Sequence, residues 1–373
     1  MTTLLDTQSR NKLWQHYRQN KVEKKLDPNL IRNLKSGWLF PYVAKIESLF
    51  WGRWQYLLEC QLIPDNIWTA WQMQILATGK KNIPDYVIEN TLPDRPIPQI
   101  EWQQDQEAIK MIENCLNLIP KYGDCRTISS QKYLEYFLDW LLFGLGHPGY
   151  QKEPKEPSDC KGASMRLYQY FDVAYLLANP YDYFGLIIPE LIGKWTRQKT
   201  GFFPTPMPVC QMISTIITPE TLTKIDRIKA TYEPCVGTGG LLLVHSNKSL
   251  QAIGQDINPL LLKASLIQFA LYAPWYYQPI WWLAETDLIL GNTLTLESME
   301  SINYKYWIQQ YQDIVKVEKV IQEEKEIIHS KINNTLKVEK EKEKIASPIV
   351  ENIMKKKTGK QEIVQLTLFD LDF

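Results

Sequence analysis

The stretch Tyr232-Glu-Pro-Cys-Val-Gly-Thr-Gly-Gly240 decides the predicted fold of this chain. Its glycines allow backbone amides to approach a ligand without a Cβ in the way. Residues 228–232 are predicted to form a strand, and a helix is predicted to start at Gly239. A strand, a glycine turn and a helix place the positive end of a helix dipole at a ligand. The stretch predicts a ligand-binding loop; the alternative is a tight strand-to-helix turn without a ligand.

Two acidic residues near this loop indicate which ligand it would hold. No lysine follows the glycines, and their spacing differs from the Gly-x-Gly-x-x-Gly of dinucleotide folds. Glu233 ends the predicted strand, where a carboxylate suits an ammonium group and repels a pyrophosphate. Asp256 ends the next predicted strand, where it can accept hydrogen bonds from two ribose hydroxyls. Together they predict S-adenosylmethionine (SAM), although Asp256 could instead be the N-cap of a helix starting near Pro259.

Strands and helices are predicted to alternate after residue 159. Further strands are predicted over 251–257 and 287–290, with a helix over Pro259–Tyr272 that is apolar on nearly all sides. Strands that alternate with helices at this spacing favour an α/β domain with a parallel, doubly wound sheet. We place this domain at residues 159–312.

Residues 1–158 are predicted to form a separate helical domain, because apolar and aromatic residues recur at three- and four-residue spacing. A loop rich in glycine, proline and charge, 146–158, marks its end. Residues 1–36 carry eight basic and three acidic side chains, which would suit an arm that contacts nucleic-acid phosphates. A solvated amphipathic helix is an equally good interpretation.

The composition excludes several classes of protein. The 373 residues include 42 basic and 42 acidic side chains, so the whole chain has no overall charge that favours nucleic acid. No apolar run reaches the length of a membrane span and no signal peptide opens the chain, so we expect a cytoplasmic protein without a membrane partner. Six scattered cysteines, no Cys-x-x-Cys and four histidines predict no metal site.

Four short elements between about residues 180 and 296 carry a resemblance to a known family. They are Gly201-x-Phe203-x-Thr205-Pro206, the loop from Glu233 to Gly240, Asp256, and Leu290-Gly-Asn292-Thr-Leu294. In order and content they resemble the SAM-binding elements of the adenine-N6 DNA methyltransferases of the gamma order, which include type I modification subunits. Within that family the chain resembles most closely a plasmid- and phage-associated branch that lacks the family's Asn/Asp-Pro-Pro-Tyr/Phe motif.

The resemblance implies a Rossmann-like SAM-dependent methyltransferase domain that acts on DNA, as in DNA methylation and restriction–modification. In the family, the first element caps the methionine end of SAM, the acid binds the ribose, and the last element contacts the adenine. The implied SAM-binding residues are Phe203, Thr205, Glu233, Gly237, Gly239, Asp256 and Asn292.

The family's catalytic tetrapeptide, Asn/Asp-Pro-Pro-Tyr/Phe, does not occur, because all 22 prolines are isolated. In the family its polar groups accept hydrogen bonds from the adenine amine and its aromatic ring stacks on the flipped base. Asn303-Tyr-Lys-Tyr306 offers an amide and two aromatic rings, either as a degenerate acceptor site or as a helix start leading into core residues. Asn179-Pro-Tyr-Asp182 lies too early in the chain and is interpreted as a helix-initiating turn. No catalytic residue is assigned.

Three functions therefore remain open. The first is an adenine-specific DNA methyltransferase whose acceptor site is divergent or supplied by a separate catalytic or specificity chain. The second is a non-catalytic accessory protein that binds SAM and DNA in a mobile element or replication assembly. The third is a structural use of the fold within an assembly.

Residues 313–373 are predicted to be a charged tail, helical or disordered, that carries the peptide Gln365-Leu-Thr-Leu-Phe369. This peptide resembles the one by which bacterial replication and repair proteins bind the DNA sliding clamp. The resemblance implies Gln365, Leu366, Leu368 and Phe369 as the clamp-binding residues. The alternative is an edge strand or tail that packs on the protein's own core.

Overall fold

The structure of the chain is a computed structural model. It describes residues 6–19, 34–79, 82–120, 130–200, 202–283, 286–296 and 299–311. Twelve helices precede the first strand in these ranges: α1 (Thr7–Gln19), α2 (Phe40–Phe50), α3 (Arg53–Cys60), α4 (Asp65–Thr78), α5 (Asp85–Thr91), α6 (Gln106–Leu118), α7 (Ser130–Leu145), α8 (Ala163–Tyr170), α9 (Val173–Ala178), α10 (Tyr183–Thr200), α11 (Met207–Ile216) and α12 (Lys224–Arg227).

The sheet and its helices follow from residue 231 onward. In chain order they are β1 (Thr231–Glu233), α13 (Gly240–His245), β2 (Ala252–Asp256), α14 (Pro259–Tyr272), α15 (Pro274–Tyr277), β3 (Asp287–Leu290) and β4 (Glu300–Ser301). Residues 304–311 are helical. The described residues all belong to one compact unit.

Four strands form one mixed sheet in the order β1-β2-β3-β4. The first three are parallel, with Glu233 opposite Gly254 and Asp256 opposite Leu290, whereas β4 pairs antiparallel to β3. The predicted α/β class is confirmed as a mixed α/β architecture. In a doubly wound sheet the order of the strands reverses at one point. Among the described strands the order does not reverse, so the described sheet lacks this feature of the predicted topology.

The first strand starts three residues later than predicted from the sequence. Residues Lys224–Arg227 form α12, a single helical turn with a capping box between Thr223 and Asp226. This turn ends at Ile228, which leaves only residues 231–233 to pair with β2. Local capping thus overrides the apolar pattern that favoured a strand over 228–232.

Helix α14 is the central helix of the core. Twelve of its 14 residues are buried, which explains why its sequence shows no polar face. It starts where the Asn258 side chain accepts a hydrogen bond from Leu260 N at 3.0 Å, with Pro259 at the first helical position. The predicted helix over Pro259–Tyr272 is confirmed with the same ends.

One hydrophobic core contains residues from both sides of the predicted domain boundary at 158, from Trp14 to Trp307. Arg53 of α3 joins the two sides and is fully buried. Its guanidinium donates hydrogen bonds to Ser246 Oγ (2.9 Å), Ser246 O (2.6 Å) and the Tyr272 carbonyl, and lies over the Trp275 ring. The division into residues 1–158 and 159–312 stays a prediction.

A second buried charge supports the Arg53 backbone. Glu47 of α2 is also fully buried, and its carboxylate accepts hydrogen bonds from Arg53 N (2.6 Å) and Trp54 N (3.1 Å). Loss of water raises the pKa of Glu47 and lowers the pKa of Arg53. Removal of either group would leave the other as an uncompensated buried charge, so the two stabilise the α2–α3 corner only when both are present.

His147 is buried in its neutral form. Gly149 N donates to its Nδ1 at 3.1 Å, so Nε2 carries the proton and donates to Asn303 Oδ1 at 3.1 Å. A proton added at Nδ1 would point at the Gly149 N–H and would remove the hydrogen bond that Nδ1 accepts. Burial accordingly lowers the pKa of His147 to about 4.

We expect the protein to lose stability as the pH falls from about 6.5 to 4. Because the folded pKa of His147 lies below the unfolded value of about 6.5, its stabilising contribution is complete above pH 6.5 and is lost as pH falls through the folded pKa. The linkage gives a loss of about 2 kcal/mol at pH 5. Urea unfolding of wild type and His147→Gln at pH 7 and pH 5 measures it. An equal pH dependence in both proteins would contradict the assignment to His147.

Candidate functional site

The carboxyl ends of β1, β2 and β3 bring together three of the residues singled out in the sequence. Parallel strands end at the same edge of a sheet, so Glu233 at the end of β1 and Asp256 at the end of β2 lie at one edge. Asn292 follows β3 by two residues at the same edge. The backbone joins them further, because Gly291 N donates to Asp256 O at 3.0 Å.

The turn after β1 requires glycine at two positions. Gly237 and Gly239 have φ angles of +55° and +93°, a region that residues with a Cβ rarely adopt. A Cβ on Gly237 would lie 2.9 Å from the Phe202 ring, and one on Gly239 would lie 2.9 Å from the Phe269 ring. The turn leads directly into α13, which begins at Gly240, one residue after the predicted start.

Asp256 ties the glycine turn to the end of β2. Its Oδ2 accepts a hydrogen bond from Gly237 N at 3.0 Å, and its Oδ1 accepts one from Asn258 N at 2.8 Å. The side chain that caps α14 is Asn258, not Asp256. The alternative role of Asp256 as the N-cap of α14 is therefore wrong, because its carboxylate accepts from Gly237 N and Asn258 N, whereas Asn258 accepts from the first free amide of the helix, Leu260 N.

Both carboxylates of this edge are partly desolvated. Burial raises the pKa of Glu233 and the pKa of Asp256, against the hydrogen bonds that each accepts from backbone amides. In the described part of the chain, neither makes an ion pair with lysine or arginine. The edge is thus an acidic environment that favours hydrogen-bond donors and cations over phosphates.

Asp182 lies beneath the glycine turn and was not predicted as a site residue. Its Oδ2 accepts a hydrogen bond from Thr238 Oγ1 at 2.8 Å, and its Oδ1 accepts from Gly185 N (2.8 Å) and Gln268 Nε2 (2.9 Å). Gln268 also donates to Thr238 O at 2.7 Å. Asp182 and Gln268 are buried, so they hold the turn from below rather than facing a ligand.

The Asp182-x-x-Gly185 spacing is the sequence pattern from which this hydrogen-bond network could have been predicted. A Cβ at position 185 would lie 2.3 Å from Asp182 Oδ2, so the close carboxylate excludes every residue except glycine. The prediction that Asn179–Asp182 initiates a helix is confirmed, since α10 starts at Tyr183. The sequence did not indicate that the same aspartate also contacts the glycine turn.

The Gly-x-Phe-x-Thr-Pro element reaches the glycine turn through Phe202. Phe202 is buried against Gly237, whereas Phe203 is 71% exposed. Thr205 is also exposed, and its carbonyl accepts a hydrogen bond from the Cys210 thiol at 3.5 Å. The element therefore lies at the turn, with Phe203 free to contact a ligand or partner.

Asn292 forms a local turn at the third strand end. Its Oδ1 accepts hydrogen bonds from Leu294 N (2.9 Å) and Thr295 N (3.4 Å), and the residue is exposed. The neighbouring Thr293 hydroxyl donates to Pro234 O at 2.6 Å. This bond joins the loop after β3 to the loop after β1, so the two sides of the site are held together.

The Asn303–Tyr306 segment begins in the core at Asn303, and its two tyrosines are partly exposed. Asn303 is fully buried, donates from Nδ2 to Tyr276 O at 2.8 Å and accepts from His147. Both its amide nitrogen and its amide oxygen are therefore engaged inside the protein. Of the two interpretations of this segment, the structure supports a helix start that leads into core residues such as Trp307.

Two predicted binding segments lie wholly or partly outside the described residues. The peptide Gln365, Leu366, Leu368 and Phe369 lies beyond residue 311, and much of the basic arm falls in residues 20–33. Within the described part of the arm, Arg10 forms an ion pair with Glu101 at 3.2 Å and lies over the Trp51 ring. Arg10 thus has a structural role.

No helix among the described residues is long and apolar enough to cross a membrane. In the same residues, no group of three or more His, Cys, Asp and Glu side chains is arranged to hold a metal ion. No protein-family model, curated protein or solved structure matches this chain.

Proposed function

We propose that the chain binds SAM at the carboxyl edge of β1, β2 and β3 and serves as a SAM-dependent DNA methyltransferase-like protein. One observation carries the proposal. The glycine turn, Glu233 and Asp256 meet at one sheet edge, and a direct bond from Gly237 N to Asp256 holds them together. The specificity for adenine N6 rests on the family resemblance of residues 180–296.

The chemistry of the edge fits the parts of SAM. Glu233 would accept hydrogen bonds from the amino-acid ammonium. Asp256 already accepts two backbone amides, but its two oxygens have further lone pairs for ribose hydroxyls. Ile257 and Leu294 are 63% and 93% exposed next to these polar groups and offer apolar surface for the adenine ring. The acidic character of the edge disfavours a nucleotide phosphate.

The Asn303–Tyr306 segment does not provide the groups that would hold the adenine amine during methyl transfer. Asn303 is hydrogen-bonded to His147 and Tyr276 inside the core. The proposed methyltransferase therefore takes its acceptor groups from a separate catalytic or specificity chain. The same observation favours the second candidate, a non-catalytic accessory protein that binds SAM and DNA. Titration calorimetry with SAM, alongside transfer of tritiated methyl groups to DNA, tests both. Binding without transfer by the isolated chain is the expected result; robust transfer would contradict the need for a partner.

We expect Asp256→Ala to weaken SAM binding by about tenfold or more. The substitution removes charge-assisted hydrogen bonds to the ribose, each worth about 1.5–3 kcal/mol, and frees the Gly237 amide. Calorimetry measures the change, with Asp65→Ala as a control because that exposed aspartate lies in the first turn of α4. If wild-type protein shows neither heat of binding nor a thermal shift with SAM, the cofactor proposal is wrong.

We also propose that the tail peptide binds a DNA sliding clamp. Leu368→Ala with Phe369→Ala is expected to abolish clamp binding in a pull-down without changing the melting temperature, because short peptides depend on a few anchors. Thr367→Ala, which lies between the anchors, is the matched control. A double variant that unfolds the protein would show instead that the tail belongs to the core.

A further inference from the structure

Helix α11 presents a second apolar face to solvent. Its buried face, which includes Ser214, packs on α13. Val209, Met212 and Ile216 follow one another at helical spacing on the opposite face, and the last two are 56% and 73% exposed. No charged residue occurs in the stretch 207–219. An exposed surface that is apolar and free of charge is typical of a site that binds another protein.

The outer side of β1 offers backbone groups for hydrogen bonding. Thr231 N donates to Gln251 O, on the side of β2. Successive residues of a strand direct their N–H and C=O groups to opposite sides, so those of Tyr232 point away from β2. Among the described strands β1 pairs only with β2, and Tyr232 is 50% exposed. Such an edge is a template for a strand of another chain.

The helices on one face of the sheet extend past β1. Right-handed crossovers in the strand order β1-β2-β3 place α13 and α14 on the same face. There α14 packs on β2 and β3, α13 packs on β1 and α14, and α11 packs on α13. His245 of α13 lies between α11 and β1, with one ring nitrogen 3.3 Å from Ser214 Oγ and the other 2.6 Å from Thr231 Oγ1. A strand added to β1 would therefore lie near α11.

The geometry of the edge favours a partner of different sequence over a second copy of this chain. A two-fold axis pairs identical edge strands antiparallel, which places their carboxyl ends at opposite ends of the pair. A strand parallel to β1 instead ends at the same edge as Glu233, beside the glycine turn. It would place that turn between strands on both sides, the position at which open α/β sheets bind their ligands.

We propose that the outer edge of β1 and the apolar face of α11 bind a partner protein that adds a parallel strand to β1 and covers Met212 and Ile216. The residues that follow the partner's strand supply the hydrogen-bond acceptors for the amine to be methylated; this part rests on the proposed function. The pairing leaves the carboxyl ends of the strands open to DNA.

The experiment uses the full-length protein with an affinity tag, purified from the cells in which it naturally occurs. Chains that copurify are identified by mass spectrometry, produced separately and titrated into the protein by calorimetry without SAM. Met212→Lys with Ile216→Lys is expected to weaken this binding about tenfold or more, because two charges enter an apolar interface. The matched control is Met73→Lys with Leu76→Lys, since these residues of α4 are 64% and 80% exposed.

A second pair of variants tests the strand edge. Tyr232→Pro removes the outward N–H, whereas β1 keeps its pairing with β2. Tyr232→Ala also removes the side chain, whose hydroxyl donates to Gln255 Oε1 at 2.7 Å, but keeps the N–H. We expect the proline variant to bind the partner more weakly than the alanine variant, with circular dichroism checking that both are folded. Equal binding by the two would overturn the addition of a strand.

Four further results decide the proposal. A partner that both the α11 variant and Tyr232→Pro lose, and both controls retain, supports it. Absence of any chain whose binding depends on Met212 and Ile216 would overturn it. A dimer of the isolated protein in light scattering that the α11 variant dissociates would overturn it in favour of a second copy. Slow hydrogen exchange at Tyr232 N in the isolated protein would overturn it in favour of another segment of this chain.

The titration also separates this proposal from the proposed function. Because SAM is absent from it, a protein that binds the partner through α11 and β1 but does not bind SAM would leave the interface standing and contradict the cofactor assignment. SAM binding without any partner would contradict the interface alone.

Discussion

Replacing Asp182 with alanine is expected to abolish SAM binding and to lower the free energy of unfolding by about 3 kcal/mol. The substitution leaves Thr238 Oγ1, Gln268 Nε2 and Gly185 N without their buried acceptor. An unsatisfied buried donor costs about 1–3 kcal/mol. Because Thr238 lies between Gly237 and Gly239, the turn loses the contact that fixes its position under the proposed ligand. Calorimetry with SAM and urea unfolding measure the two effects.

The isosteric variant separates positioning from stability. Asp182→Asn keeps the oxygen that accepts from Gly185 and Gln268, and the Thr238 hydroxyl can rotate to accept from the new amide. We expect it to remain folded and to bind SAM more weakly than wild type. Asp226→Asn, at an exposed capping box outside the site, serves as the control. If Asp182→Asn and Asp182→Ala both bind SAM as wild type does, the turn does not depend on this carboxylate.

Arg53→Ala is expected to destabilise the protein by about 3–5 kcal/mol, the usual cost of removing one member of a buried charged group. It leaves the Ser246 and Tyr272 carbonyls and the buried Glu47 carboxylate without a cation nearby. Urea unfolding at pH 7 measures the loss. The matched control is Arg95→Ala, because the ion pair of Arg95 with Glu59 at 2.7 Å is partly exposed and such pairs contribute less than about 1 kcal/mol.

A second variant tests whether charge or shape is required at position 53. Arg53→Met keeps much of the volume over the Trp275 ring but removes the donors. Combined with Glu47→Gln, which keeps an acceptor for the backbone amides of residues 53 and 54, it is expected to recover part of the lost stability. Similar stability of Arg53→Ala and wild type would show that water reaches this group and that its burial is not sustained in solution.

The sequence predicted elements well where a single pattern controlled them. Residues 259–272 are apolar on nearly all sides and form a helix with 12 of its 14 residues buried, and 287–290 form a strand with the predicted ends. Prediction was poorer at 228–232, because the Thr223–Asp226 capping box forms a helical turn that no apolar periodicity reveals. Strand order could not be predicted, since it depends on contacts between segments far apart in the chain.

The geometry of the candidate site could be predicted in part for a similar reason. Carboxylates at strand ends converge because parallel strands share an edge, so Glu233 and Asp256 could be placed from the sequence alone. The partners that hold the turn come from elsewhere. Asp182 and Gln268 are 86 positions apart, and only the fold brings them together. Likewise, the buried Asn303 is hydrogen-bonded to His147, which lies 156 positions earlier and which the sequence does not associate with it.

The position of β1 at the edge of the described sheet bears on whether the proposed site could accept a polymer that has no free end. Among the described strands β1 pairs on one side only, and Tyr232, Pro234 and Cys235 along it are exposed. The exposed residues Pro234 and Cys235, which lead into the buried glycine turn, thus lie at a margin of the described sheet. A polymer could approach such a margin sideways at any internal position, without threading a free end. For the proposed role on DNA, a closed circular molecule would be as accessible as a linear one.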